Sequence, residues 1–312
     1  MKLLQMSASD LRQQLAGAGI WMRTGPFSLR IRSRIPSVAE GLVDLYGQFE
    51  VRNAREAFAD FHVSLDAPSL LRRWFRPQVD FRFDDQLPFK PLPYDQAYPM
   101  LEWGLNWCVS MHAHQYLIIH AAVIEKNGCA AILPAPPGSG KSTLTAGLVL
   151  SGWRLLSDEL TLIDRTTGMI QPLPRPVSLK NQSIPVIQAF SADAFINRPS
   201  HDTAKGTVAH MRPPKESVRR QHEPAQPAWV IFPQWQAHAT AELTPRSRAQ
   251  TMMFLAQNAF NYSHLGADGF RVATRLIDQV SCYDFRYSQL DEAVAVFDQL
   301  ADVSPDSRLR YA

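Results

Sequence analysis

One segment of the chain has the residue types and the spacing needed to hold a phosphate group. It runs Ala135-Pro-Pro-Gly-Ser-Gly-Lys-Ser-Thr143, after an apolar run at Cys129–Pro134 and into a helix-forming run at Lys141–Leu150. Gly138 and Gly140 let backbone N–H groups turn towards an anion, because no Cβ blocks the approach. A helix that begins directly after the loop adds unpaired N–H donors and a partial positive charge. The order strand, glycine loop, helix therefore predicts a phosphate-binding loop.

The residues after the second glycine supply the side chains that a nucleoside triphosphate and Mg²⁺ need. The Lys141 ammonium can reach the β and γ phosphates, and the Ser142 hydroxyl can coordinate Mg²⁺. Ala135 replaces the first glycine of the pattern, and the alternative is a glycine turn that only ends a strand. The predicted nucleotide contacts from the loop are Pro137, Gly138, Ser139, Gly140, Lys141, Ser142 and Thr143.

Two adjacent acids, Asp158 and Glu159, follow the next short apolar run at Trp153–Leu156. An open α/β sheet places its ligands at the carboxyl ends of its strands, so we expect the pair beside the glycine loop. Carboxylates in that position can serve as a Mg²⁺ ligand and as the base near the γ phosphate. The alternative is that they cap a helix or a turn.

The composition favours a soluble globular protein without a nucleic-acid or membrane partner. The chain has 312 residues, and its 32 basic and 29 acidic side chains leave a net charge of +3, close to balance. The three cysteines lie far apart, which fits no disulfide framework and favours a reducing compartment. Polar residues interrupt Met1–Leu15, so this segment lacks the apolar core of a secretion signal. We expect a cytoplasmic protein.

The patterns around the motifs predict an α/β fold in two parts. Residues 1–97 have no chemical motif and predict a smaller α+β region. Within it, Ser37–Phe49 predicts a helix with Ser37 as the candidate N-cap. The proline-dense piece Pro88–Pro99 marks the boundary, and residues 98–312 form the part that contains the glycine loop.

Two further segments of the second part invite a functional interpretation. Tyr98–His114 predicts a helix whose Trp103 and Trp107 are expected to pack in the core. Residues 174–227 are rich in proline and basic side chains and poor in periodicity, so we expect functional loops there. The cationic segment His210–His222 is either a solvated mobile loop or a lid that meets phosphate or substrate when it closes.

Three histidines precede the glycine loop, at His112, His114 and His120. Histidine is a common zinc ligand, so a zinc site is one interpretation of this group. No cysteine or acidic residue has the spacing that would complete such a site. The group is therefore not predicted to bind a metal.

Several short, separate segments of the sequence together resemble one known family. The chain is similar to the HPr kinase-related kinase A group, and its core resembles those of HPr serine kinases and phosphoenolpyruvate carboxykinases. The resemblance implies a P-loop core of that type, with a mixed sheet and flanking helices, over about residues 100 to 265. The matching segments are Glu102-Trp-Gly-Leu-Asn-Trp-Cys108, His120-Ala-Ala122, Leu133 to Thr143, Ser157-Asp-Glu159, Arg175-Pro-Val-Ser-Leu-Lys-Asn181, Lys205-Gly-Thr-Val-Ala-His210 and Phe260-Asn-Tyr262.

The resemblance implies ATP- and Mg²⁺-dependent phosphorylation of a serine or threonine hydroxyl. The residue that matches the catalytic base of HPr kinases is Asp158, and Lys141 belongs to the catalytic set as the loop lysine. Ser142 and Glu159 match the residues that serve the metal. The histidine near the catalytic acid is matched by His120.

The chain departs from the HPr kinase pattern at three of these positions. Glu159 stands where those kinases have aspartate, and the extra methylene could move the metal. Ser178 and Lys180 stand where they have glutamate and arginine, so a positive charge is kept and a carboxylate is lost. We expect Lys180 to contact the nucleotide, with Arg175 and Lys205 as weaker candidates. The lost carboxylate argues against reverse phosphorolysis.

We therefore expect a phosphotransferase that moves the γ-phosphoryl group of ATP to a Ser or Thr hydroxyl of a peptide or small protein. HPr is not the expected acceptor, because the N-terminal region does not resemble the N-terminal domain of HPr kinases. Members of the related group tend to occur beside peptide- or protein-modification systems, which suggests a peptide or small-protein acceptor. HPr kinases assemble into rings of subunits, so a homo-oligomer is compatible with the resemblance. The alternatives are a nucleotide-operated binding module without a phosphoprotein product and a small-molecule kinase on the same core.

Overall fold

A computed structural model of the chain describes residues 1–54, 57–69, 71–72, 75–84 and 86–302. Residues 303–312, the end of the predicted second part, lie outside the described residues. Within the described ranges the fold is α/β, with mixed sheets and flanking helices, as predicted. No helix in these ranges has both the length and the apolar character needed to cross a membrane.

The N-terminal region is a six-stranded sheet covered by helices. Strand β2 (Phe27–Ser33) alternates buried residues with more exposed ones, and Phe27, Leu29 and Ile31 are buried in the core because alternate side chains of a strand point to the same face. The strand order is β3-β1-β2-β4-β5-β6. The elements are β1 (Ile20–Thr24), β2 (Phe27–Ser33), β3 (Val51–Asn53), β4 (Phe61–Asp66), β5 (Gln78–Phe83), β6 (Leu92–Pro93), α1 (Ala8–Ala16) and α2 (Pro36–Tyr46), with 3-10 turns at Leu3–Gln5 and Tyr94–Gln96.

The predicted N-cap of α2 is wrong by two residues. The helix begins at Pro36 and Ile35 takes the cap position, so Ser37 lies inside the first turn. Proline suits the first helical position because its φ is already helical and it has no N–H that needs a partner. The proline therefore decides the start of the helix ahead of the serine.

A second, larger sheet surrounds the glycine loop. Its order is β11-β10-β7-β8-β15-β17-β16, and β9 pairs with the far end of β7. The antiparallel pair β7–β8 is joined by Asn127 and Gly128 at φ 55° and 80°, the backbone conformation that a tight two-residue hairpin turn requires. The strands are β7 (Tyr116–Lys126), β8 (Cys129–Pro134), β9 (Arg154–Ser157), β10 (Leu160–Asp164), β11 (Ile170–Gln171), β15 (Gln226–Trp235), β16 (Glu242–Pro245) and β17 (Ser281–Tyr287).

Helices pack on both faces of this sheet. Strand β8 (Cys129–Pro134) and helix α4 (Lys141–Leu150), which flank the glycine loop, have the predicted bounds. Strand β8 pairs in parallel with β15, and β15 with β17, so the carboxyl ends of these three strands meet at one edge. The helices are α3 (Ala97–His112), α4 (Lys141–Leu150), α5 (Ser183–Phe190), α6 (Lys215–Arg219), α7 (Arg248–Gln257), α8 (Tyr262–Leu265), α9 (Ala267–Gln279) and α10 (Leu290–Asp302).

The segment 174–227, expected to be irregular, contains a small sheet of its own. Its strands are β12 (Val177–Lys180), β13 (Ser200–Thr203) and β14 (Gly206–Met211), in the order β12-β14-β13. The strands are short and joined by long connections, so the sequence contains no long periodic run that would reveal them. The segment His210–His222 is not a solvated loop, because its residues Ser217, Val218 and Gln221 are buried. Its role as a lid stays a prediction.

Helix α3 connects the two parts of the chain. Its apolar residues Leu101 and Leu105 belong to the N-terminal core, and Leu160 and Leu162 of β10 join the same cluster. One core thus includes side chains from both sides of the proline-dense piece. The predicted division at residue 97 stays a prediction.

Candidate active site

The glycine loop lies between the carboxyl end of β8 and the start of α4. Gly140 is the N-cap of the helix at φ 87°, and Gly138 has φ 85°. A Cβ on Gly140 would lie 2.6 Å from Tyr287 Oη and 2.9 Å from Trp235 Cβ. Space and backbone conformation both require glycine at this position. The first N–H groups of a helix have no partner within that helix, so those at the start of α4 can serve an anion in the loop.

Three polar groups meet at Asp158, just past the end of β9. Lys141 Nζ donates to the Asp158 backbone oxygen at 2.5 Å and lies 3.6 Å from Oδ1. Ser142 Oγ is 3.5 Å from Oδ2, and the backbone N–H of Ser178 donates to Oδ2 at 2.9 Å. The carboxylate is almost fully buried, and Oδ1 accepts no hydrogen bond from the described residues. Asp158 thus joins the loop to β12, and one of its oxygens is free to take a proton.

Glu159 lies beside this group and faces several cations. Asn106 Nδ2 donates to Oε2 at 2.6 Å, and Lys180 Nζ is 4.0 Å from Oε1. Burial alone would raise the pKa of Glu159, but Lys141, Lys180 and Lys205 outweigh it and hold the pKa below its ordinary value. The carboxylate is therefore ionised at neutral pH, as a metal ligand must be.

A buried ion pair between Glu102 of α3 and Arg175, which precedes β12, holds the Asn106 amide that contacts Glu159. Arg175 donates to Glu102 Oε2 at 2.5 Å and to Asn106 Oδ1 at 2.8 Å. Tyr46 and Tyr98 donate to Glu102 Oε1 at 2.8 and 2.7 Å. The expectation that Arg175 reaches a phosphate does not fit this geometry, because its guanidinium is buried and already bonded. Residues 73 positions apart form this pair, so no local pattern could reveal it.

Asn106 and Trp103 are site residues that sequence reasoning did not assign. Both lie on the face of α3 that turns towards the acids, and both line a small cleft next to Asp158. The Lys205 ammonium lies 5.2 Å over the Trp103 ring, a cation–π arrangement. Trp103 was expected in the core, and it is only partly buried. The helical spacing of the tryptophans indicated a shared face but could not show that acids lie opposite it.

His120 lies in β7, directly across from Leu160. Its ring is 5.7 Å from the ring of Phe260. Burial, and after it the nearby Lys141 charge, lower the pKa of His120, so the imidazole is neutral at pH 7. The alternative zinc site finds no support, since no group of three potential ligands occurs in the described part of the chain. His112 instead stacks on Phe83 and His114 on His264.

The other residues predicted to contact the nucleotide are more exposed to solvent than Asp158. Pro137 and Gly138 are exposed, and Thr143 is partly buried at the start of α4. The backbone N–H of Trp235 donates to the backbone oxygen of Ser139 at 2.9 Å, and this bond fixes the loop to the end of β15. The structure thus brings the functional side chains of loop and acid pair together and leaves the outer loop backbone open.

The small cleft has several buried polar atoms without a hydrogen-bond partner among the described residues. They are Trp103 Nε1, Ser178 Oγ, both ring nitrogens of His210, and Asp158 Oδ1, which has only the ion-pair contact with Lys141. All four residues line the cleft together with Glu102 and Asn106. Buried polar groups without partners are costly in a protein interior, so the cleft is suited to a small group that both donates and accepts hydrogen bonds.

His210 makes the stability of this region depend on pH. Burial lowers its pKa below the ordinary 6.5, so the unfolded chain takes up this proton at a higher pH than the folded chain does. The buried neutral His210 ring therefore makes its full contribution to the free energy of unfolding above pH 6.5, and this contribution is lost as the pH falls below that value. We expect the free energy of unfolding to decline from about pH 7 to pH 5, and to decline less in His210→Gln. Urea unfolding across this range measures both, and equal slopes in the two proteins would contradict the assignment.

Comparison with known proteins finds a distant structural likeness. No protein-family model matches the chain, and no curated protein matches it. Among solved structures, the Hpr(Ser) kinase/phosphatase from Coxiella burnetii is similar with 10% identity and a TM-score of 0.28. The match covers 62% of this chain and 97% of that one. Because both values are low, the family resemblance stays a prediction and the chemistry has to be derived from the residues themselves.

Proposed function

We propose that the protein transfers the γ-phosphoryl group of ATP to a Ser or Thr hydroxyl of a peptide or small protein. The observation that carries the proposal is the position of Asp158. Its carboxylate lies beside the lysine and serine that follow the glycine loop, with Oδ1 free of hydrogen bonds from the described residues. A phosphate-binding loop facing a base with a free oxygen is the arrangement that phosphoryl transfer needs.

The loop and its neighbours suit a triphosphate. Two glycines at positive φ and the open start of α4 offer backbone N–H groups to phosphate oxygens. The Lys141 ammonium lies 3.6 Å from Asp158 Oδ1, and the Lys180 ammonium lies 4.0 Å from Glu159 Oε1. Ser142 and Glu159 fit Mg²⁺, which takes few protein ligands and keeps contacts to substrate phosphates. When bound, Mg²⁺ neutralises charge on the phosphates.

Asp158 acts as the base in the proposed reaction. The acceptor oxygen forms a bond to the γ phosphorus as the bond from that phosphorus to the bridging β–γ oxygen breaks, and ADP leaves. The hydroxyl proton passes to Oδ1 of Asp158. The Ser178 N–H holds the other oxygen and so fixes the direction in which the free one points. His120 interacts with Asp158 and Glu159, and because its pKa is lowered it adds no second positive charge beside the Lys141 ammonium at neutral pH.

The cleft beside Asp158 supports a hydroxyl acceptor of small size. Its volume is about 20 Å³, room for one small polar group. A hydroxyl would donate to Asp158 Oδ1 and accept from Ser178 or His210, and so satisfy atoms that otherwise have no partner. Serine and threonine side chains on a flexible peptide present such a group.

Replacing Asp158 with Asn tests the proposed function. We expect Asp158→Asn to bind MgATP within about threefold of the natural protein, since the amide keeps the shape of the carboxylate, and to lose about 100-fold or more of transfer because the base is gone. Calorimetry with MgATP measures binding. Label transfer from γ-labelled ATP to Ser- and Thr-containing peptides measures the reaction.

The exposed Asp193→Asn is the matched control and should leave both quantities unchanged. Near-full transfer by Asp158→Asn would rule out the base assignment. Label found only in free phosphate would favour the nucleotide-operated binding module, and label found in metabolites would favour the small-molecule kinase. Incubation with a cell extract, followed by separation of protein from metabolites, distinguishes these outcomes.

A further inference from the structure

The position of the acids determines which way a nucleotide must lie on the glycine loop. Asp158 follows β9, which pairs with β7 on one side of β8. The γ end of a triphosphate therefore faces the β7 side. The α phosphate and the nucleoside must leave on the opposite side, where β15 and β17 end.

An exposed indole lies at that opposite side. Trp235 is the last residue of β15, and 53% of its surface is accessible. It is the one exposed tryptophan among those that the structure describes. A single exposed aromatic side chain would by itself need no explanation. Its place directly next to the phosphate loop is what makes it informative.

Trp235 is fixed to the loop and held in one orientation. Its backbone N–H donates to the backbone oxygen of Ser139 at 2.9 Å, and its indole Nε1 donates to the backbone oxygen of Ser288 at 3.1 Å. The hydroxyl of Tyr287 donates to the Gly140 oxygen at 3.0 Å and secures the same side of the loop. Since the indole is anchored at its polar edge, little conformational freedom is lost when a flat ligand stacks on it.

We propose that Trp235 is the platform on which the base of the bound nucleotide stacks. The inference rests on the proposed function, because it takes the triphosphate to lie in the glycine loop. Stacking on an aromatic ring uses the π face that every base has, so it reads the presence of a base rather than its identity. The ligand class is therefore a nucleoside triphosphate, and ATP and GTP are both accepted by this contact.

Comparing MgATP with inorganic tripolyphosphate isolates the base contact. Both probes offer three phosphates to the loop, and only ATP has a base. We expect Trp235→Ala to weaken MgATP binding about tenfold or more and to change magnesium tripolyphosphate binding by less than about twofold. Trp235→Phe keeps a stacking face and should retain most of the ATP affinity, although it loses the bond to Ser288. Titration calorimetry on the full chain measures all of these.

The control is Phe270→Ala on α9, an exposed aromatic of similar accessibility at 56%. It should change neither affinity. If Trp235→Ala weakened the binding of both probes equally, the indole would only support the loop. If it left MgATP binding unchanged, the indole would contact no base. Either result would overturn this inference and leave the proposed function standing. Failure of the natural protein to bind both probes would overturn the proposed function and this inference together.

Discussion

Replacing Lys141 with Ala is expected to weaken MgATP binding by about 100-fold or more and to abolish nucleotide-dependent activity. The Lys141 ammonium lies 3.6 Å from Asp158 Oδ1, and the Lys141 side chain is only 12% exposed. A charged donor in such a partly desolvated place interacts strongly with phosphate oxygens. Calorimetry with MgATP and label transfer from γ-labelled ATP measure the two effects.

A matched control separates this effect from a general loss of positive charge. Lys90→Ala removes an exposed lysine outside the loop and should leave MgATP affinity unchanged. The melting temperature of Lys141→Ala has to stay close to that of the natural protein, so that unfolding does not account for the result. Undiminished MgATP affinity in a folded Lys141→Ala protein would show that the glycine loop does not hold a triphosphate.

The second large effect is expected on stability, at the buried pair between Glu102 and Arg175. Glu102→Gln keeps the shape of the side chain but leaves the guanidinium buried without a countercharge. We expect a loss of about 3–5 kcal/mol in the free energy of unfolding, the usual result of breaking one partner of a buried pair. Both residues are almost fully buried, so water cannot compensate. Urea denaturation of the two proteins measures the difference.

An exposed pair and a double variant complete that experiment. Glu50→Gln breaks the surface pair with Arg52 and should cost less than about 1 kcal/mol. Changing Glu102 to Leu and Arg175 to Met together should cost less than Glu102→Gln alone, since no buried charge is left unpaired. A loss below about 1 kcal/mol in Glu102→Gln would mean that the pair is not held as tightly as these distances indicate.

The same network explains why the N-terminal half of the chain matters to the site. Tyr46 on α2 donates to Glu102, and Arg175 holds Asn106, which donates to Glu159. Four side chains thus connect a region without any chemical motif to the proposed metal ligand. Distances of this kind depend on packing between helices, and no spacing in the sequence encodes them.

The sequence alone determined what depends on neighbouring residues. The two glycines at positive φ, the turn at Asn127 and Gly128, and the strand and helix around the loop all follow from local backbone preferences. The adjacency of Asp158 to the loop also followed, because the carboxyl ends of strands in one sheet lie together. These features need no information from distant parts of the chain.

The tertiary structure alone decided which distant groups complete the site. It folded residues 174–227 into a sheet that brings Ser178 to Asp158, it buried Arg175 against Glu102, and it placed Trp235 on the loop. A hydrophobic pattern reports whether a residue is buried but not which partner it meets, since partners 20 to 100 positions away are selected by packing and hydrogen bonding of the whole fold.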